Sequence, residues 1–170
     1  DRVEDSTTGA LHPRLYVDIP GEVPGQLEQV AQSIGPSIIT KFPWVDGARP
    51  DTDDLTELLI ANAWKPSLAT VGLGGAPQIQ DAGNTLRPAT SAKLVFRLPP
   101  TLEADAAAKA IKTELERDPP FNAQVQFELE TSQTGWSAPA EQTWLARSLE
   151  GCSLRYFNKP VMHMGMGGTI

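Results

Sequence analysis

The stretch Ser91-Ala92-Lys93-Leu94-Val95-Phe96-Arg97-Leu98-Pro99-Pro100, running on into Thr101-Leu102-Glu103-Ala104, decides how this chain folds. Ala92, Leu94, Phe96 and Leu98 alternate with Ser91, Lys93, Val95 and Arg97, the period of a strand with one apolar face. Pro99-Pro100 removes two ladder donors and ends it. Thr101 is the predicted N-cap of a helix whose apolar stripe is Ala104, Ala108, Ile111 and Leu115, and Asp118-Pro119-Pro120 stops that helix. Beyond it Ala123, Val125, Phe127 and Leu129 alternate with Gln124, Gln126, Glu128 and Glu130, predicting another strand with one wet face. Upstream, residues 68 to 73 predict a strand between the breaker Trp64-Lys65-Pro66 and the turn Gly74-Gly75.

Strand, strand, helix, strand is three-quarters of a β-α-β-β-α-β unit. The expected class is α+β, with an incomplete ferredoxin-like sheet carrying its helices on one face. Further out the patterns are shorter. Residues 1 to 22 read as loop. Leu27, Val30, Ala31 and Ile34 recur at helical spacing before a stop at Gly35, and a second helix is expected from Asp51 or Thr52 to Ala63. After residue 131 the style changes: a helix carrying Leu145, Leu149, Cys152 and Tyr156 precedes a short strand expected at 159 to 162. The chain thus divides into three regions: a loop-rich segment at 1–63, a sheet at 64–131, and a helix-strand segment at 132–170.

Composition narrows the function classes. With 170 residues, 40% hydrophobic and 21% charged, the chain suits one compact domain, or one domain and part of another. A net charge of −7 argues against nucleic acid, whose phosphates demand a basic face. The apolar runs are too short for a membrane span. The one cysteine, Cys152, excludes an internal disulfide and fits either a reducing compartment, with a cytoplasmic location expected, or an incidental thiol. The start at Asp1-Arg2-Val3 is expected to be neither a signal peptide nor a natural initiation, and Gly165-Met166-Gly167-Gly168-Thr169-Ile170 is expected to be a cut end.

Most chemical candidates have a structural reading that outweighs the functional one. His12 and His163 lack partners at metal-ligand spacing, so one is expected in a loop and the other at a strand edge. Ser137 lies in Gly135-Trp136-Ser137-Ala138-Pro139, which is not a nucleophile elbow. Cys152 falls on the apolar side of a helix and reads as core. The glycine runs lack the Lys-Ser/Thr of a phosphate loop. Asp51, Asp53 and Asp54 suit a helix N-terminus. Arg97 differs: on the polar face of a strand, its guanidinium fork suits bidentate capture of a carboxylate. Asn84, thirteen residues earlier at a turn, offers either an amide donor or tolerance of a left-handed backbone.

Asn84-Thr85-Leu86, with Arg97-Leu98-Pro99-Pro100 and the helix after it, resembles the lid, or dimerisation, domain of the di-zinc metallopeptidases. That family includes aminoacylase, carnosinase, succinyl-diaminopimelate desuccinylase and the glutamate carboxypeptidases. Trp64-Lys65-Pro66-Ser67-Leu68 resembles the lead-in to a lid strand. Gly167-Gly168-Thr169-Ile170 resembles the turn by which such chains return to an α/β catalytic domain. The likeness spans roughly residues 64 to 170.

It implies a parent enzyme, dipeptidase-like, that hydrolyses peptide or acyl-amino-acid amides with two zinc ions and dimerises through the lid. It further implies that Asn84 and Arg97 orient the substrate's carbonyl and carboxylate, and that Gly167 and Gly168 line the same pocket. The family's metal ligands, its catalytic glutamates and the first lid strand have no counterpart here. The chain by itself is therefore expected to hold no catalytic residue and no metal, with residues 14–63 as an insertion. The alternative is a free-standing ferredoxin-like module that binds a small acid or a protein partner.

Overall fold

Two hydrophobic clusters organise residues 2–166, the part that the computed structural model describes. The first is helical. Helix α1 (Val23–Ile34) buries Val23, Leu27, Val30 and Ala31. The short helix α2 (Ser37–Thr40) adds Ile38, and α3 (Leu55–Trp64) adds Leu59, Ile60 and Trp64. Gly35 ends α1 with φ at +52°, a conformation that favours glycine, and its amide closes onto Ala31 O.

Helix α3 begins later than the sequence suggested. Thr52 Oγ1 accepts the Asp54 amide in a local turn, and the Asp54 carboxylate accepts the amides of Thr56 at 2.8 Å and Glu57 at 3.2 Å. Asp54 is thus the N-cap, and Asp54→Ala is expected to cost about 1 kcal/mol, readable as a lower denaturant midpoint at unchanged slope.

The second cluster joins an antiparallel hairpin to a helix. Strand β1 (Ser67–Gly74) pairs with β2 (Ser91–Arg97) in a two-stranded sheet, in a register that sets Leu68 against Phe96 and Ser67 against Arg97. An irregularity between Thr70 and Gly72 leaves Val71 without a cross-strand partner, as in a bulge. Leu68, Phe96 and Leu98 point into a cluster with Ala107 and Ile111 of α4 (Ala104–Glu116), while Lys93, Val95 and Arg97 stay exposed. The alternation thus separated the two faces of β2 correctly.

Residues 2–15 close this cluster from the other side. Glu4 bridges Leu11, Leu15 is fully buried, and the Arg2 guanidinium donates to the carbonyls of Glu114, Arg117 and Asp118, capping the end of α4.

Four expectations are corrected. Thr101 is not the N-cap of α4: the Leu102 amide turns back to Pro99 O at 3.2 Å, and the helix starts after Glu103. Residues 123–129 do not form a strand. Among the described residues their main chain finds no ladder partner, and the Phe127 amide donates to the Glu116 carboxylate at 3.2 Å. The strand expected at 159–162 is also absent, because the Val161 amide donates to Glu150 and the Lys159 carbonyl accepts from Ser153. Helix α5 (Thr143–Phe157) forms where expected but buries none of its residues: Trp144 is 71% exposed and Phe157 76%. Cys152 is therefore exposed rather than core.

The structure is mixed helix and strand, of class α+β, and no helix among the described residues is long and apolar enough to cross a membrane.

Candidate functional site

Arg97 is the last residue of β2, exposed and on the open face of the hairpin. The two residues after it fix it there. Leu98 packs into the α4 cluster and Pro99 is fully buried, so the chain leaves the strand over a rigid corner. A guanidinium on a hydrogen-bonded strand end is aimed by its backbone rather than by a loop. Ser67, its cross-strand neighbour, is small and exposed and leaves space above the same face.

Lys93 lies on this face as well, opposite Gly72, where a Cβ would already stand 3.4 Å from the Lys93 Cβ. Its ammonium is paired with Glu130 at 2.6 Å. The cation at Lys93 is thereby balanced by a carboxylate.

Asn84 is placed differently. It sits at a bend in the exposed connection between β1 and β2, on the Ser91 side of the strand. Its φ is not positive, so the left-handed reading is set aside. Gly75, with φ +83° and its backbone hard against Ala89 and Thr90, pinches the base of that connection. Asn84 and Arg97 thus spring from opposite ends of β2, a strand about 20 Å long. Gly167 and Gly168 lie outside the described residues.

The remaining polar groups serve the fold. His12 Nδ1 accepts the Arg14 amide, and its Nε2 is 3.9 Å from Glu114, so His12 is half-buried rather than a free loop residue. His163 is exposed 3.9 Å from Glu141, with no strand edge beside it. Among the described residues no three His, Cys, Asp or Glu side chains gather where a metal ion would need them, and the donors present there do not fit zinc.

Two contacts were invisible in the sequence. One is the Lys93–Glu130 pair. The other is a clasp at the start of α4, where Thr134 Oγ1 accepts the Ala104 amide at 3.0 Å and donates to Glu103, while Ser132 donates to Asp105. They join residues 27 to 37 positions apart, and no local pattern encodes such pairs.

At the other end of α4, the Lys112 ammonium holds the Glu116 carboxyl below its ordinary range, and the Phe127 amide adds to the effect. A lowered folded-state pKa contributes stability above the unfolded value, and that contribution is lost as pH falls through the folded one. Lys112→Met is expected to raise the Glu116 pKa toward the ordinary range and to flatten the acid limb of stability, as followed by carboxyl NMR titration and acid unfolding.

The chain matches no model of a known protein family, and no curated protein matches it.

Proposed function

We propose that these residues form the greater part of a substrate-binding lid of a zinc-dependent metallopeptidase or amidohydrolase, acting on dipeptides or acyl-amino acids. The observation that carries this reading is Arg97: a guanidinium at the exposed end of β2, anchored by the buried Pro99 corner and followed at once by α4. A lid needs a rigid sheet with one face sealed by helices and the other open over a cleft. The hairpin meets that requirement, with Phe96 and Leu98 against α4 and Lys93 and Arg97 outward. The order β1, β2, α4 and then the returning chain at 123–131 also suits an incomplete ferredoxin-like unit.

In this reading Arg97 pairs with the substrate's free carboxylate through two parallel N–H···O bonds, fixing the register of the scissile amide. Asn84 stands at the opposite end of β2 from Arg97, so in this hairpin Arg97 holds the substrate without it. The resemblance adds Gly167 and Gly168 to the substrate-binding residues, and a separate catalytic unit supplies both zinc ions and the catalytic glutamates. The lid also carries the contact between subunits of a homodimer.

Calorimetry of the 170-residue chain with a dipeptide and an N-acetyl amino acid tests the division of labour. Half a site is expected to give no measurable heat at millimolar ligand. Micromolar binding by the chain alone would instead favour the free-standing acid-binding module.

A further inference from the structure

All three methionines of the chain fall within five residues, Met162-His163-Met164-Gly165-Met166, and one of its two histidines stands among them. Packing accounts for the first. Met162 is partly buried against the helical cluster of α1, α2 and α3. Met164 is 46% exposed and Met166 86%, so neither contributes much apolar burial to the fold. Two adjacent thioethers held in water need another reason.

The backbone that carries them is pinned. The Val161 amide donates to the Glu150 carboxylate at 2.9 Å, and Met162 seats the next residue on the helical cluster. Gly165 rests on α3, where a Cβ would stand 3.1 Å from the Ala63 Cβ. Met164 and Met166 therefore flank a residue pressed against a helix, and both reach solvent. Cα atoms two residues apart are separated by at most about 7 Å. A methionine side chain is long, unbranched and adaptable, so the two sulfurs can close on one ion without moving the main chain.

A third donor stands between them. His163 Nδ1 lies 3.9 Å from a carboxylate oxygen of Glu141, which comes from the loop before α5. A carboxylate on that side favours the proton on Nδ1 and leaves the Nε2 lone pair available. Metal-binding imidazoles are commonly oriented in this way, by a carboxylate behind the ring.

We infer that Met164, Met166 and His163 form a binding site for a soft monovalent cation, copper(I), with Glu141 orienting the imidazole. Thioethers are soft donors that select copper(I) over harder ions. Two thioethers and a neutral imidazole carry no charge, so they offset none of a divalent ion's and suit a monovalent one. The site stands apart from the lid reading and holds whichever role Arg97 plays.

Silver(I), which shares this coordination chemistry without copper's redox reactions, is the probe. It is added to the 170-residue chain carrying Cys152→Ser, so that the exposed thiol does not compete. In NMR of methyl-labelled methionine, one equivalent is expected to shift the Met164 and Met166 methyls and the His163 ring, and to leave Met162 nearly in place. Replacing both exposed methionines, Met164→Leu with Met166→Leu, is expected to abolish the His163 response. Glu141→Gln is expected to weaken binding by roughly tenfold or more, and Glu141→Asp to recover part of the loss. These side chains are exposed, and melting curves check that the fold is kept. One equivalent of zinc is expected to move none of these signals. No shift at micromolar silver, a His163 response that survives loss of both exposed methionines, or zinc bound as tightly as silver would overturn the site. Unchanged affinity in Glu141→Gln would overturn the part assigned to Glu141.

Discussion

Trp64→Ala is expected to destabilise the chain by about 3–5 kcal/mol, lowering the melting midpoint by roughly 6–20 °C. Trp64 is the last residue of α3, buried in the helical cluster with Leu59 and Ile60. Two residues later the buried Pro66 leads into β1, so the indole holds the point where the helical part passes into the hairpin. Truncation leaves a cavity that α1 and α3 fill only in part, since packed helices relax little around a void. Trp64→Phe keeps most of the volume and is expected to lose much less. Thermal and urea unfolding followed by circular dichroism reads both variants, and equal losses for alanine and phenylalanine would show that the indole's volume does not matter.

The other large effect concerns function. In the full-length enzyme implied by the proposed lid, Arg97→Gln is expected to lower kcat/KM on a dipeptide by about 100-fold, equivalent to ~2.7 kcal/mol. A charge-assisted pair shielded by a closed lid loses about 2–5 kcal/mol or more when one partner is removed, because the other charge is left desolvated. Arg97→Lys keeps the charge but loses the planar fork, and is expected to recover only part of the activity. Arg97 is exposed and the strand is held mainly by its neighbours Phe96, Leu98 and Pro99, so the fold is expected to survive both variants, as melting curves check. The unchanged melting curve separates this result from a structural one.

Parts of the molecule were legible in the sequence for identifiable reasons. Strand β2 and helix α4 carry strong, opposite periodicities separated by Pro99-Pro100, so local preference and tertiary packing agree there. The alternation at 123–129 is just as regular, yet among the described residues no ladder forms, because a strand is defined by its neighbour and not by its own pattern. Helix α5 shows the same limit for burial. Its apolar residues have helical spacing, but nothing among the described residues covers them, so Cys152 and Trp144 stay exposed. The start of α3 turned on which of four neighbouring residues, Asp51, Thr52, Asp53 or Asp54, reaches the free amides, a matter of one side-chain geometry.

At the candidate site, the position of Arg97 on the open face followed from the strand period. The neutralisation of Lys93 by Glu130 did not, because a salt bridge across 37 residues leaves no local trace.

The most direct measurement compares kcat/KM for a dipeptide and for its C-terminal amide, with the full-length protein that the proposed lid implies and with its Arg97→Gln variant. If Arg97 holds the carboxylate, the substitution should cost about 100-fold on the dipeptide and less than about threefold on the amide. An equal loss on both substrates, or no loss on the dipeptide, would contradict the assignment of Arg97 as the carboxylate-binding residue of a lid.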